Sequence, residues 1–427
     1  MSETPEVKKA KRPLPKSRVM LNALVDSIYQ AAWDAEAAGR PVGWSTSIFP
    51  QELCATFDVP VLYPENNAAG VAARHDSPRF IATSEGELGY SNDICSYARL
   101  SIGMAHQMAC DPNYQPPTVQ RMPRPTFLLC ATNSCFELLK WYECLSRELN
   151  IPIFMQDCLF NYSDAKPAQH WIAYGRSQIE HNIRRMEEFF GKKFDWDKFL
   201  EIQKISVENA KLFDECVMMN DRNPSPLNGF DLFNYMAPMV VARGRRETTE
   251  VLLQLKREIQ EHIDNGTSTF GSSPEEFRVD WEGIACWPNL GYNLKSMKRY
   301  NVNCVTNGYV GAWSLHYTPG SLDEMAEQYM LSSTNVVNTA TMMGRRADVA
   351  NHFQCDGMFC HINRSCKFMT YHMTCGREIV EEKCGIPVVF FDGDQADPTI
   401  FNEAQFETRL QSLVDVMKTN KEAKNNG

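Results

Sequence analysis

The sequence predicts an α/β protein built from two flavodoxin-like parallel-sheet domains with a helical segment between them. Three observations predict it. First, one residue order occurs twice: an apolar run, a polar turn with Asn and Ser, a cysteine, a helical run, and a second apolar run entered through Ile-Pro. The first copy runs from Phe127 to Cys135 and resumes at Ile151-Pro152, ending at Asp157; the second runs from Gly357 to Cys366 and resumes at Ile386-Pro387, ending at Asp392. A fixed order at two distant places implies one architectural unit used twice. Second, an earlier strand–helix–strand order also recurs, at residues 43–63 and 283–305. Third, the composition between the copies shifts to long charged helices, residues 176–190, 196–218 and 246–263.

Length and charge narrow the classes. The chain has 427 residues, 43% of them hydrophobic, and a formal net charge of −10. That length suits two or three domains with a sizeable core. An acidic balance without a basic block argues against nucleic acid as a partner. No apolar run is long enough to span a bilayer, so no membrane role is expected. Residues 1–16 are polar, with Lys and Pro and no apolar core of a signal peptide, and read as a disordered tail on a cytoplasmic protein. The expected divisions are then 17–166 for the first α/β domain, 167–277 for the helical segment, and 278–427 for the second domain with its C-terminal helix.

In chain order, Val19, Leu21, Leu24, Val25, Ile28 and Ala31 give residues 17–39 a helical apolar spacing that Gly39 ends. Pro41 to Ser47 reads as a strand closing in a hydroxyl-rich turn. A helix from Pro50 to Phe57 and a strand through Val59 to Tyr63 follow, with Pro64-Glu65-Asn66 as the loop after it. Asn92 or Asp93 can cap a helix carrying Cys95 in its first turn. The middle segment contains a proline-rich turn, Asn223 to Asn228, before the apolar helix from Gly229 to Phe233. Trp281 to Pro288 reads as a strand and turn, Leu294 to Tyr300 as a helix, and Val302 to Val305 as a strand. Asp392 to Pro398 is an acidic turn after the last strand. A closing helix places Phe406, Leu410, Leu413, Val414 and Met417 on one face.

The 15 cysteines include no Cys-x-x-Cys pair, which removes the zinc-ribbon, thioredoxin and bacterial ferredoxin spacings. Most read as reduced, buried small residues. Cys95, Cys135 and Cys366 differ: each follows Asn, Asp or Ser where a helix begins. The positive helix end lowers a thiol's pKa and favours the metal-binding thiolate. Three such thiolates from separate loops could hold three irons of a [4Fe–4S] cluster and leave the fourth open. Buried structural thiols are the other reading, and residues alone leave the two level. Cys130 and Cys360 lie close to the same turns; as strand residues they are expected to point into the core. Ser47 and Glu65 stand at strand ends, which the fold aims at the same crevice; a turn hydroxyl and a solvated loop carboxylate are their plain readings. Arg364 and Lys367 read either as contacts for phosphate or as exposed charges.

Several stretches together resemble the 2-hydroxyacyl-CoA dehydratases, the family that also contains the benzoyl-CoA reductase subunits. They are Gly43-Trp44-Ser45-Thr46-Ser47, Tyr63-Pro64-Glu65-Asn66, Asp93-Ile94-Cys95-Ser96-Tyr97-Ala98-Arg99, Asn228 to Phe233, Asn363-Arg364-Ser365-Cys366-Lys367 and Phe391 to Pro398. The resemblance covers nearly all of the chain from residue 17. It implies a [4Fe–4S] cluster on Cys95, Cys135 and Cys366, with Ser47 and Glu65 beside the thioester carbonyl and the leaving hydroxyl. It implies a heterodimer with a homologous second dehydratase subunit and an ATP-dependent iron–sulfur activator protein. The implied reaction is radical (ketyl) dehydration of an (R)-2-hydroxyacyl-CoA, with lactoyl-CoA the expected substrate. An electron-transferring iron–sulfur subunit, or a subunit of a benzoyl-CoA-type reductase, is the alternative.

Overall fold

The computed structural model describes residues 13–111, 113–115, 117–118, 121–160, 167–331 and 337–426. Of the expected tail, residues 1–12 lie outside the described residues, and Lys16 already opens the first helix.

Among the described residues, eight strands form two four-stranded sheets. The first contains β1 Gly43–Ser45, β2 Val61–Leu62, β3 Phe127–Ala131 and β4 Ile153–Gln156, in the order β2-β1-β3-β4. The second contains β5 Phe277–Glu282, β6 Val302–Thr306, β7 Gly357–Asn363 and β8 Val388–Gly393, in the order β6-β5-β7-β8. Every pairing is parallel. The two sheets therefore share one winding order, and the duplication expected from the sequence is present. In each, the winding reverses between the first and third strands, and ligands of such sheets bind beyond the strand C-termini at that reversal. The strands are short and mostly buried: all of β1, β3, β5 and β6 is out of solvent, as two-sided cover by helices requires. Gly43 is needed for this packing, because a Cβ there would stand 2.6 Å from the Phe127 ring on β3.

Between β4 and β5 the regular elements among the described residues are all helical, chiefly Gln169–Phe190, Trp196–Met218 and Arg246–Asp264. The first helix, Lys16–Ala37, buries Leu21, Leu24, Ile28, Ala32 and Ala35. Val19 is outside that face and 53% exposed, one residue short of the stripe. The last helix, Glu403–Asn426, buries Phe406, Leu410, Leu413 and Met417 as expected.

Two local expectations are corrected. Pro64-Glu65-Asn66 is not a loop but the first turn of the helix Pro64–Ala73. At the first helical position the missing N–H of proline costs nothing and its fixed φ fits. Ser77–Gly86, again with Pro in its first turn, is a helix that the apolar spacing did not reveal. The strand expected at Trp281 starts earlier and leaves the sheet after Glu282, where Gly283 turns the chain at φ +109°. No helix among the described residues is long and apolar enough to cross a membrane.

Candidate functional site

A cavity of about 570 Å³ opens where the first sheet, the second sheet and the middle helices meet. Ser47, Glu65, Cys95, Cys135 and Cys366 all line it. The fold collects them from five separate strand ends and helix starts.

Ser47 sits in the turn after β1 and Glu65 in the first helical turn after β2. The Ser47 Oγ donates to Glu65 Oε1 at 3.1 Å, and the Ser47 backbone N–H donates to the same oxygen at 3.2 Å. The other carboxyl oxygen, Oε2, is buried without a hydrogen-bond partner. Burial pushes the Glu65 carboxyl up to about 7, against the lowering effect of the two bonds from Ser47. The buried Tyr142 hydroxyl also interacts with this carboxyl.

Cys95 is the N-cap of the helix Ser96–Cys110, and Cys366 is the N-cap of Lys367–Cys384. Cys135 lies two residues before Glu137–Leu149. The Gln395 amide donates to Cys95 Sγ at 3.1 Å, and Asn363 holds that amide in place through Gln395 Oε1 at 2.8 Å. The Glu137 N–H donates to Cys135 Sγ at 3.4 Å, while the Glu137 carboxylate accepts from the Cys95 N–H at 3.3 Å. Glu137 thus ties two of the cysteine turns together. Ser96 N–H to Ser365 Oγ, 3.0 Å, joins the third.

The expectation that helix ends would lower these thiol pKa values is overturned. Burial raises the Cys135 thiol to about 12, only partly offset by the Glu137 amide. Cys95 is raised by burial and then by the Glu137 charge. Cys366 is raised by burial and then by Cys135 and Cys95. Desolvation is the largest cause at each thiol, and the charges of Glu137 and of neighbouring cysteines add to it. Cys130 and Cys360 are fully buried in β3 and β7 and are not among the residues lining the cavity. Arg364 pairs with Asp392 at 2.6 Å and Lys367 lies 3.8 Å from Asp93, both away from the cavity lining.

The 2-hydroxyglutaryl-CoA dehydratase, D-component family model matches residues 46–417. The chain belongs to that family. It is 45% identical over 406 residues to the (R)-2-hydroxyisocaproyl-CoA dehydratase alpha subunit of Clostridioides difficile, covering 95% of this chain and 97% of that one. It is 37% identical over 408 residues to the (R)-phenyllactyl-CoA dehydratase alpha subunit of Clostridium sporogenes, covering 96% and 97%. It is 36% identical over 402 residues to the lactoyl-CoA dehydratase subunit alpha of Anaerotignum propionicum, covering 92% and 94%.

Within this dehydratase-family chain, the donor set can be tested for an iron–sulfur group. Cys366, buried, and Cys95 and Cys135, half-buried, share one cavity with Glu137 and Glu65, and desolvation raises each thiol. A cationic metal group reverses that penalty by taking the thiolates as ligands. Donors already aimed at two of the sulfurs, from Gln395 and from the Glu137 backbone, suit the anionic sulfurs of a ligated cluster. Cluster ligands stand apart by the width of the cubane, so these sulfurs need not crowd around a single point. The residues fit the group.

Sequence reasoning missed several members of the site. Gln395 was inside the acidic turn Asp392 to Pro398, where the carboxylates drew the attention. Glu137 lay in the first turn after Cys135, and its reach toward Cys95 is a tertiary contact. Tyr309, electrostatically coupled to Glu65, Cys366 and Cys95, comes from an irregular segment without any periodic signal. Arg18 on the first helix also reaches the cavity, with a buried Nη1 that lacks a partner.

Proposed function

We propose that this chain is the substrate-binding catalytic subunit of a 2-hydroxyacyl-CoA dehydratase, a hydro-lyase that converts an (R)-2-hydroxyacyl-CoA to the 2-enoyl-CoA and water. The observation that carries the reading is the shared cavity, which brings the Ser47–Glu65 pair and the three cysteines together. The proposed roles are Cys95, Cys135 and Cys366 as ligands of a [4Fe–4S] cluster and Ser47 and Glu65 as catalytic groups. When bound, such a cluster would supply an electrophilic iron near the thioester oxygen and one-electron chemistry. The β-hydrogen of a 2-hydroxyacyl thioester is not acidic; a one-electron (ketyl) form of the substrate can expel hydroxide and then lose that hydrogen readily.

The chain's own groups do the rest. Glu65, with its pKa near neutrality, can protonate the leaving hydroxide and, as the carboxylate so formed, take the proton lost from the β-carbon. Ser47 orients the carboxyl through Oε1 and leaves Oε2 for the substrate. The Ser47 hydroxyl can turn from Glu65 to a developing oxyanion. Apolar and aromatic walls from Tyr97, Trp287 and Trp313 keep water from the site. Arg18, Arg74 and Arg121 on the lining suit the phosphates of coenzyme A. A homologous second subunit, forming a heterodimer, and an ATP-dependent iron–sulfur activator are the proposed partners, in a cytoplasmic setting.

Lactoyl-CoA was the substrate expected from the sequence. The aromatic lining, with 45% identity to a hydroxyisocaproyl-CoA enzyme, favours a larger apolar acyl group, and we place 2-hydroxyisocaproyl-CoA first. The test is an anaerobic assay of the chain with its partner subunit and activator on a panel of 2-hydroxyacyl-CoA thioesters. Expected is 2-enoyl-CoA without net electron consumption, with kcat/KM roughly tenfold or more in favour of the isocaproyl over the lactoyl substrate, the scale of a few methylenes in a pocket. Stoichiometric electron consumption per product would make it a reductase instead. No product from any 2-hydroxyacyl-CoA would overturn the reading.

A further inference from the structure

The helices that start at the proposed cluster cysteines meet again at their far ends. His106 and Cys110 stand one turn apart near the end of Ser96–Cys110, and Glu148 occupies the last turn of the neighbouring Glu137–Leu149. Ligand atoms of these three side chains all lie within 4.8 Å of one another. His106 Nδ1 is 2.6 Å from Glu148 Oε1, and Cys110 Sγ is 3.7 Å from the same nitrogen and 3.4 Å from Nε2. The other ring nitrogen, Nε2, faces the Glu87 carboxylate at 3.7 Å. We propose that His106, Cys110 and Glu148 form a second, mononuclear metal site that takes Zn²⁺.

The chemistry favours this metal. One imidazole, one thiolate and one carboxylate are borderline donors, the set that selects zinc over magnesium or calcium. Tetrahedral zinc with its usual Zn–S and Zn–N lengths holds S and N about 3.6 Å apart, close to the Cys110–His106 spacing. The nitrogen–carboxylate spacing must open by roughly 1 Å, which the half-exposed Glu148 side chain allows. The second carboxylate, Glu87, stands where an orienting partner of a metal-bound histidine belongs. Binding releases the Cys110 thiol proton and the proton shared by His106 and Glu148 to solvent, and water completes the coordination.

Electrostatics agree. Two helix C-termini converge here, and their unpaired carbonyls favour a cation. Arg124 already answers part of that demand, donating to Met108 O at 3.2 Å and Leu149 O at 3.4 Å. Two ligand groups, Cys110 and Glu148, and the Glu87 carboxylate remain around His106. Cys110 is exposed, so the metal has a path from solvent. Bound zinc would clamp the two helices at a point about 20 Å from their cysteine-bearing starts. The site would therefore stiffen the elements that carry Cys95 and Cys135 without touching the catalytic cavity.

The cavity thiols also bind zinc when bare, so the test uses the anaerobic, iron-loaded protein. It measures zinc per chain by mass spectrometry after equilibration with ZnSO₄ and a competing chelator, and the shift in Tm on zinc addition. Expected is one zinc per chain and a positive Tm shift in the wild type. His106→Gln, which keeps a polar side chain beside Glu148, and Cys110→Ser, at an exposed position, should keep their iron and weaken zinc binding by roughly tenfold to a hundredfold or more. Co²⁺ in place of zinc should show a thiolate charge-transfer band that Cys110→Ser abolishes. Equal zinc uptake in wild type and both variants would overturn the proposal. So would a wild type that retains no zinc against the chelator, or zinc that is lost from Cys135→Ser and kept in Cys110→Ser.

Discussion

Glu65 shows how little a residue's neighbours in sequence say about its chemistry. In the chain it follows a proline after a strand and reads as a solvated loop carboxylate. In the fold it starts a helix, turns into a cavity and keeps one oxygen buried and unpaired. Its pKa, raised by burial from 4.5 to about 7, has two consequences. For stability, the native state holds the proton more tightly than the unfolded state. The contribution of Glu65 is therefore fully present below about pH 4.5 and is lost as pH rises through about 7. Glu65→Gln should remove this slope, so that urea midpoints measured from pH 5 to pH 7.5 fall less steeply than in the wild type. For activity, a carboxyl that protonates the leaving hydroxide must start in its acid form, and the dehydration rate should fall as pH rises through about 7. The same variant should retain its iron and lose about 10²-fold or more in rate. Loss of iron with Glu65→Gln would place the residue in support of the cluster. An unchanged rate and pH profile would place the proton-transfer group elsewhere. Ser47 was legible only as a hydroxyl at a strand end, because its bond to Glu65 joins two crossovers that no local pattern links.

At the scale of elements, the sequence showed strands by their apolar runs, but the expected caps Asn92 and Asp93 do not cap: Cys95 itself is the N-cap of Ser96–Cys110 and lies before its first turn. The sequence hid helices that open on proline, and so the helix Ser77–Gly86 went unseen. That helix matters, because it packs against Ser96–Cys110, the helix capped by Cys95. The contact is close enough that a Cβ on Gly103 would stand 2.0 Å from the Phe80 carbonyl oxygen. The obstacle is backbone, which cannot swing aside as a side chain can. Gly103→Ala should therefore push the two helices apart and cost about 1–3 kcal/mol, the usual range for overpacking. Thermal unfolding measures the loss, and iron content reports whether the Cys95 turn moves with its helix. A variant with unaltered Tm would show that the helices are free to slide and that Cys95 is not rigidly placed. Thiol acidity was misjudged at this same scale. The helix-end effect is a property of one element, whereas desolvation comes from all elements packed around the sulfur.

The duplicated order of strands was the most legible feature of the whole molecule, because each copy carries its own apolar periodicity and its own Ile-Pro entry. The departures from symmetry between the copies were not legible. Cys135 follows β3 and Cys366 follows β7, at equivalent places in the two units. Cys95 has no such counterpart: Cys355, the only cysteine among the described residues between β6 and β7, is a buried residue just before β7. One three-cysteine site can thus form, and it draws two sulfurs from the first unit and one from the second. The junction that brings them together is also built from direct bonds. Ser77 Oγ donates to Ala396 O at 2.6 Å, Ser96 N–H to Ser365 Oγ at 3.0 Å, and Arg99 pairs with Asp397 at 3.3 Å inside the protein. Removing iron with a chelator should therefore leave the circular dichroism spectrum and cooperative unfolding intact while lowering Tm. Asp397→Asn should act in the opposite order. It leaves every cysteine in place but weakens the hold of the second unit on the Cys95 helix, because Arg99 loses a charged partner where water cannot replace it. Glu85 still pairs with Arg99, which limits the cost to roughly 1–3 kcal/mol, the range for a hydrogen bond to a charged group. Urea unfolding measures that loss, and the variant should also release iron to a chelator faster than the wild type. Iron released at the wild-type rate, despite the lower stability, would mean that the thiols alone hold the two units in register.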